Sequence, residues 1–364
     1  MSDKQTKILL TGGGTGGSVT PLLAIAEELR GRSEAGEYNF LWVGTRDGIE
    51  KGMVEKDGII FRSISAGKLR RYFAWQNFLD PFRIIAGFFQ SFSIILKWKP
   101  DMIISAGSFV ATPVIFAGWL ARVPIIIHQL DARPGLSNRL AAPFARAVTV
   151  TFEKTLAAFG RKAVLTGNPI RPRLFDLYQE HRAKIKTDDG SLPVVLVLGG
   201  GTGAQFINGL IEKSANQLTE FCELIHLTGK DKNISVIASA NYQSYEFLNL
   251  EEMAWAYAAA DIVVSRAGMG TLTELARLGK PTVIIPIPDS HQEENAQIFH
   301  EARAAIVLEQ NELTPELFNK FLHKLVEDKK LWQELSANIK TVIESDSIRK
   351  IIAIISQIIE KKKD

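Results

Sequence analysis

The sequence predicts an α/β protein of two similar halves, each a doubly wound parallel sheet covered by helices. Three observations predict it. Short aliphatic and β-branched runs alternate with helical stretches along the chain, the pattern of βαβ units. A glycine-rich turn follows the first strand of each half, Gly12-Gly13-Gly14-Thr15-Gly16-Gly17 and Gly199-Gly200-Gly201-Thr202-Gly203-Ala204, a weak internal echo. The length of 364 residues exceeds one ordinary domain and fits two of about 150–180 residues.

In chain order, Lys7–Thr11 reads as the first strand, followed by the glycine loop and a helix over Pro21–Arg30. Phe40–Val43 and Ile59–Arg62 are strands with a helix between them, and Pro81–Lys97 is helical. Met102–Ala121 holds twenty residues without a charge, the length of a membrane span. Pro113 and the interspersed Ser105, Gly107, Ser108, Thr112 and Gly118 argue instead for a strand (Met102–Ser105), a turn and a helix from about Pro113 to Leu120. Pro124–His128 and Ala147–Val150 follow as strands; continuous apolar runs are expected of parallel strands buried on both faces. The second half begins at Pro193 with the strand Val194–Leu198, and Asp261–Ser265, Pro281–Pro286 and Ala304–Leu308 continue it. Residues 1–166 and 193–346 are expected as the two domains, with 167–192 connecting them. Isoleucines at 351, 352, 354, 355, 358 and 359 give Ser347–Lys363 the spacing of an amphipathic helix, expected to pack back on the first domain.

Composition excludes several classes. A hydrophobic fraction of 46% with 23% charged residues suits a soluble globular chain and not a disordered one. The single cysteine, Cys222, rules out a disulfide framework or a cysteine-cluster metal site. The polar start, Met1–Lys7, ahead of only a short apolar run argues against a signal peptide. A formal charge of +3 is too even to imply nucleic acid.

The glycine turns carry the first chemical signal. A tight strand-to-helix turn exposes backbone N–H groups at the positive end of a helix dipole, where anions bind. Neither turn is a P-loop, since no Lys-Ser/Thr follows, and neither has a convincing ribose acid for dinucleotide binding. The segment Asp261–Leu275 is stronger: a strand ending at Ser265-Arg266, a glycine turn, and a helix expected to open near Thr271. Glu274 then falls in its first turn, placed to accept hydrogen bonds from a ribose diol. Thr271-x-x-Glu274 also reads as a capping box, and both roles stay open. Beyond it, Pro286–Ala296 holds His291 and Gln292 at the end of a parallel strand, where ligands of open α/β sheets collect.

Five ordered motifs, Gly13-Gly-Thr-Gly-Gly17 with Pro21, Pro134-Gly-x-x-Asn138-Arg139, Gly167-Asn-Pro-x-Arg171, Arg266-x-Gly…Glu274 and His291-Gln292-x-x-Asn295-Ala296, span nearly the whole chain. Together they resemble the MurG family of peptidoglycan glycosyltransferases. The resemblance implies a GT-B architecture, two Rossmann-like domains with a cleft between them. It implies inverting transfer of N-acetylglucosamine from UDP-N-acetylglucosamine to undecaprenyl-pyrophosphoryl-N-acetylmuramoyl-pentapeptide. It also implies a peripheral place on the inner face of the cytoplasmic membrane and no cofactor; no Asp-x-Asp motif suited to a metal is found.

Carried over from the family, Leu250 would read the uracil edge through its backbone and Glu274 would hold the ribose. Met269, Gly270, Thr271, Leu272 and Thr273 would meet the diphosphate. Arg171 would contact the nucleotide, Gln292 the sugar hydroxyls, and Asn295 and Gly201 would line the donor site. Thr15, Gly16, Gly17 and Ser18 would approach the transferred sugar and the acceptor pyrophosphate. The chain departs from the family where His usually follows Gly-Thr-Gly-Gly: Ser18 stands there, and a serine hydroxyl is no base near neutral pH. The usual His-Glu-Gln-Asn reads His128-Gln129-Leu130-Asp131, moving a carboxylate to the last place, and Gly201 replaces a serine. Asp131 is therefore the expected base, with His128 the runner-up.

Between Lys68 and Lys99, six basic residues face one acid, Asp80, among many aromatic rings. Arg70, Arg71, Phe73, Trp75, Phe78 and Phe82 are expected on a membrane-facing side, with Phe88, Phe92 and Ile95 turned to the core. Two alternatives stay open: transfer to another lipid acceptor such as diacylglycerol, or a silent UDP-sugar-binding protein. A dehydrogenase would bind NAD and has no use for the aromatic patch.

Overall fold

A computed structural model describes residues 5–32, 37–67, 76–185, 191–199, 205–232 and 239–363. The chain divides into two compact units, Met1–Arg171 with Asp346–Asp364, and Pro172–Ser345.

The first unit runs β1 (Thr6–Thr11), α1 (Thr20–Arg32), β2 (Tyr38–Thr45), α2 (Ile49–Lys56), β3 (Ile60–Ile64), α3 (Gln76–Trp98), β4 (Met102–Ser105), α4 (Ala111–Leu120), β5 (Ile125–Gln129), α5 (Leu136–Ala141), β6 (Ala147–Val150), α6 (Leu156–Phe159) and β7 (Ala163–Leu165). All seven strands are parallel, in the order β3-β2-β1-β4-β5-β6-β7. The order reverses between β1 and β4, so the loops leaving those strands diverge and leave a crevice for ligands. Ile8, Leu9 and Leu10 of β1 and Met102, Ile103 and Ile104 of β4 have no solvent exposure, as central parallel strands covered on both faces must. α3 packs on α4 and the end of β3. A β-carbon at Gly87 would lie 2.0 Å from the Ser65 carbonyl oxygen, so glycine is what lets that helix approach.

The second unit runs α7 (Pro172–Arg182), β8 (Val194–Leu198), α8 (Gln205–Leu218), β9 (Glu223–Leu227), β10 (Tyr242–Tyr245), α9 (Leu250–Ala259), β11 (Ile262–Ser265), α10 (Met269–Leu278), β12 (Thr282–Ile284), α11 (His291–Glu301), β13 (Ile306–Val307), α12 (Pro315–Glu327) and α13 (Lys329–Val342). Its six parallel strands follow the order β10-β9-β8-β11-β12-β13, with the same reversal, now between β8 and β11. Within the stretch 167–192, α7 is a helix packed on α9.

The last helix, α14 (Ser347–Lys363), belongs to the first unit. It buries Ile351, Ile352 and Ile355 and packs on α1. Its start is tied by the Ser347 hydroxyl to the Asn168 carbonyl at 3.1 Å, its end by Lys362 to Asp101 at 3.1 Å. Among the described residues no helix is long and apolar enough to cross a membrane. Met102–Ala121 is the strand-turn-helix β4–α4.

Candidate active site

In the first unit the glycine loop leaves β1 beside β4. Its chain is held from three sides. The Trp42 indole donates to the Gly12 carbonyl at 3.2 Å, and the Ser18 hydroxyl is shared between the carbonyls of Gly13 (2.9 Å) and Thr15 (3.1 Å). From below, the Gly14 N–H donates to the Glu50 carboxylate at 3.2 Å. Thr15 is exposed, and Gly16 and Gly17 are half-buried in the short 3-10 turn Gly16–Ser18. Gly14 adopts φ +81°, a left-handed turn that glycine makes without strain.

The loop leaving β5 carries Asp131, half-buried. Gln129 threads this loop. Its amide donates to the carbonyls of Asp131 (2.8 Å) and Arg133 (3.2 Å), while its oxygen accepts from Gly135 N–H (3.3 Å) and the Asn138 amide (2.8 Å). Asn138 also donates to the His128 carbonyl at 3.3 Å. His128 is buried, with Nδ1 2.8 Å from the Thr149 hydroxyl and Nε2 2.9 Å from Asn168 Oδ1. With the amide so oriented, the ring is the Nε2–H tautomer and Thr149 donates to Nδ1. Both ring nitrogens are spent, so this imidazole offers no lone pair to a substrate hydroxyl.

Arg171 closes the unit. Its Nε reaches Glu27 at 2.8 Å and its Nη2 reaches Asp57 at 2.6 Å. The guanidinium expected on the nucleotide therefore ties α1 to the end of α2.

In the second unit α10 starts at the carboxyl end of β11. The helix opens at Met269, two residues earlier than the sequence pattern indicated, and Glu274 lies in its second turn. The Thr271-x-x-Glu274 capping box is absent: the N-cap is Gly268, with no side chain to cap. The first intrahelical bond there runs from Leu272 N–H to the Gly268 carbonyl, so the N–H groups of Met269, Gly270 and Thr271 lead the helix at its positive end. The capping box of this unit is on α9 instead, where Asn249 and Glu252 satisfy each other's backbone ahead of Leu250.

Around α10, Glu274 Oε2 accepts from the Tyr257 hydroxyl at 2.7 Å. Tyr257 is fully buried; burial first, then the adjacent Glu274 charge, raises its pKa well above the usual range, so it stays a donor. Leu272 and Thr273 are buried, and the Thr273 hydroxyl turns back to the Met269 carbonyl at 2.6 Å. Gln292 is half-buried on α11, its oxygen accepting from Ile287 N–H at 3.2 Å. Asn295 is buried and donates to the Ala267 carbonyl at 3.1 Å, bracing α11 against the β11–α10 turn. Beneath the turn, Arg266 donates to the carbonyls of Ile285 and Pro286 and to Gln310, fixing three loops at one point. Gly201, Arg70, Arg71, Phe73 and Trp75 lie outside the described residues, and so does the side chain of Phe78.

Glu50, Gln129 and Tyr257 belong to these sites without having been visible in the sequence. Glu50 and Tyr257 sit in no motif and meet their partners across other elements, while Gln129 lies in the altered His128–Asp131 motif with nothing local to announce its loop contacts.

Each unit also buries a neutral histidine. Burial pushes His128 down to about 4, against the opposing pull of its Asn168 bond, and burial pushes His226 down to about 4. The unfolded chain binds protons near the ordinary 6.5, so it takes up protons before the folded one does. Their contribution is full above about pH 6.5 and is lost as pH falls toward 4. Each histidine adds about 1.4 kcal/mol per pH unit to that slope. Denaturant unfolding followed from neutral pH to about 4.5 should show stability falling with acid over this window.

The glycosyltransferase family 28 N-terminal domain matches residues 8–150 and the family's C-terminal domain residues 194–351. A Clostridium tetani protein named UDP-N-acetylglucosamine–N-acetylmuramyl-(pentapeptide) pyrophosphoryl-undecaprenol N-acetylglucosamine transferase is 37% identical over 97% of this chain and 98% of its own length. A Legionella pneumophila protein of the same name is 38% identical over 96% of each. The crystal structure of Acinetobacter baumannii MurG aligns with a TM-score of 0.71 at 23% identity, over 97% of this chain and 99% of its own. That structural likeness speaks to the two-sheet GT-B fold.

Proposed function

The chain belongs to glycosyltransferase family 28, with its MurG transferases, and we propose that it moves N-acetylglucosamine from UDP-N-acetylglucosamine to undecaprenyl-pyrophosphoryl-N-acetylmuramoyl-pentapeptide with inversion. The observation that carries this reading is the head of α10. Three leading N–H groups without a side-chain cap stand at the end of β11, and a carboxylate one turn on is oriented by a buried tyrosine.

On this reading the second unit takes the donor. Met269, Gly270 and Thr271 offer their amides to the diphosphate. Glu274 accepts from the ribose diol, Leu250 reads uracil through its backbone, and Gln292 meets the sugar hydroxyls. Asn295 and Arg266 hold those loops in place. Arg171, spent on Glu27 and Asp57, braces the first unit.

The first unit takes the acceptor, with the amides of Thr15, Gly16, Gly17 and Ser18 at its pyrophosphate. The acceptor's 4-hydroxyl attacks the anomeric carbon from the face opposite UDP as Asp131 removes its proton. The bond from that carbon to the phosphate oxygen breaks, UDP leaves with the electron pair, and the α-linked sugar becomes β-linked. The amides at the helix end meet the charge as it develops on the diphosphate. Asp131 is preferred as the carboxylate of this loop: both ring nitrogens of His128 are bonded to Thr149 and Asn168, and the Ser18 hydroxyl is no base near neutral pH.

The lipid-linked acceptor calls for a membrane-facing surface, and α3 supports one. Phe82, Ile85 and Phe89 recur on one face, with Phe82 71% and Phe89 65% exposed. Exposed cations on the same segment are Arg83, paired with Asp80 at 3.3 Å, and Lys97 and Lys99 at its C-terminal end. Ile95 is buried, while Phe88 and Phe92 are partly buried against the core. A ring at the headgroup boundary is worth about 1.5–3 kcal/mol when fully buried. Phe82→Ser with Phe89→Ser should therefore lower cosedimentation with anionic vesicles by at least about tenfold, and added salt should weaken the residual binding.

The function is tested by incubating the protein with labelled UDP-N-acetylglucosamine and a panel of acceptors. Label entering a short-chain polyprenyl-pyrophosphoryl-N-acetylmuramoyl-pentapeptide supports the reading. Label entering diacylglycerol only, or no acceptor, contradicts it.

A further inference from the structure

Glu50 is the most deeply buried carboxylate beside the first glycine loop, with no solvent exposure. It sits in the first turn of α2 and collects three neutral donors. Oε1 accepts from Thr45 N–H at 2.9 Å and from the Thr45 hydroxyl at 2.5 Å; Oε2 accepts from Gly14 N–H at 3.2 Å. The carboxylate is walled by glycine. A β-carbon at Gly13 would lie 2.5 Å from Oε1, and one at Gly48 would lie 2.1 Å from Oε2. Burying a charge is expensive, and an apolar side chain of similar size would fill the space without that cost. What only the carboxylate supplies is three acceptor positions.

We propose that Glu50 is a positioning residue for acceptor binding: by drawing the Gly14 N–H inward it fixes which loop amides, those of Thr15 to Ser18, face the acceptor's pyrophosphate. The Ser18 hydroxyl clamps the same loop from the other side, through the carbonyls of Gly13 and Thr15. One residue therefore holds a donor of the loop and the other holds its acceptors, and the turn has a single setting. The proposal rests on reading this loop as the acceptor-pyrophosphate site.

Glu50→Gln tests it. The amide keeps the volume but replaces one oxygen with an NH2 group, which in either orientation opposes the N–H of Gly14 or of Thr45. The full-length variant should bind UDP as the wild type does, while its KM for the polyprenyl acceptor rises about tenfold or more. Amide exchange at Gly14 should be slow in the wild type, despite the exposed loop, and fast in the variant. A purely structural role would lower kcat through a smaller active fraction and leave both KM values in place; that result overturns the proposal. If Glu50→Gln fails to fold, wild-type exchange decides: a Gly14 amide exchanging as fast as that of Thr15 also overturns it. A wild-type enzyme giving no transfer to the polyprenyl acceptor defeats the functional reading and the proposal with it. Transfer with an unchanged acceptor KM in the folded variant defeats the proposal alone.

Discussion

Glu274→Ala should lower kcat/KM for UDP-N-acetylglucosamine about a thousandfold. Two hydrogen bonds from a ribose diol to a carboxylate are each worth about 1.5–3 kcal/mol, because the acceptor is charged. Losing both costs roughly 4 kcal/mol of binding, about three powers of ten. Stability should fall as well, by about 1–3 kcal/mol, since the buried Tyr257 hydroxyl loses its acceptor. Glu274→Gln separates the effects. Its amide oxygen can still accept from Tyr257, so the unfolding midpoint should recover while donor affinity stays reduced by at least about tenfold. Titration of UDP into each variant, with urea unfolding alongside, reads both quantities. Normal UDP affinity in a folded Glu274→Ala protein would remove the residue from the donor site.

Asp131→Asn should lower turnover by about 10²–10⁴, the usual weight of a general base, with UDP affinity unchanged because the donor groups belong to the second unit. The substitution is nearly isosteric, and the Gln129 contacts that shape this loop go to backbone carbonyls, Asp131's among them. Urea unfolding of the variant alongside separates a loss of fold from a loss of rate. Asn is also the side chain the family usually carries at this place, so the variant discriminates sharply. Near-normal or increased turnover would show that the carboxylate does not take the proton. Ser18→His is the companion: a large gain would mean that Ser18 leaves this chain short of a catalytic group.

The architecture was legible because parallel strands covered on both faces are written as unbroken aliphatic runs. Ile8–Leu10, Met102–Ile104 and Ile262–Val264 all read that way and all are buried. Three strands were missed. β9, Glu-Leu-Ile-His-Leu, lies inside its sheet, but Glu223 and His226 break the aliphatic run. β10 is Tyr-Gln-Ser-Tyr at a sheet edge, and three-residue β7 at the other sheet's edge exposes Val164. The head of α10 was misplaced for a specific reason. Its N-cap is a glycine, which carries no capping side chain, while Thr271 and Glu274 happen to stand at capping-box spacing inside the helix. Sequence spacing also hid the residues that aim the site. Glu50 meets Gly14 across 36 positions and Tyr257 meets Glu274 across 17, distances closed only by the sheet order and helix packing. Arg171 shows the converse. Its motif pointed to a nucleotide, and Glu27 of α1 and Asp57 just past α2 supply two carboxylates that no local pattern announces.

Everything proposed for catalysis depends on the UDP-sugar lying where β11 hands over to α10. A crystal structure with UDP-N-acetylglucosamine should show the diphosphate within hydrogen-bonding distance of the amides of Met269, Gly270 or Thr271, and the ribose on Glu274. Nucleotide density elsewhere, with α10 left unliganded, would contradict it.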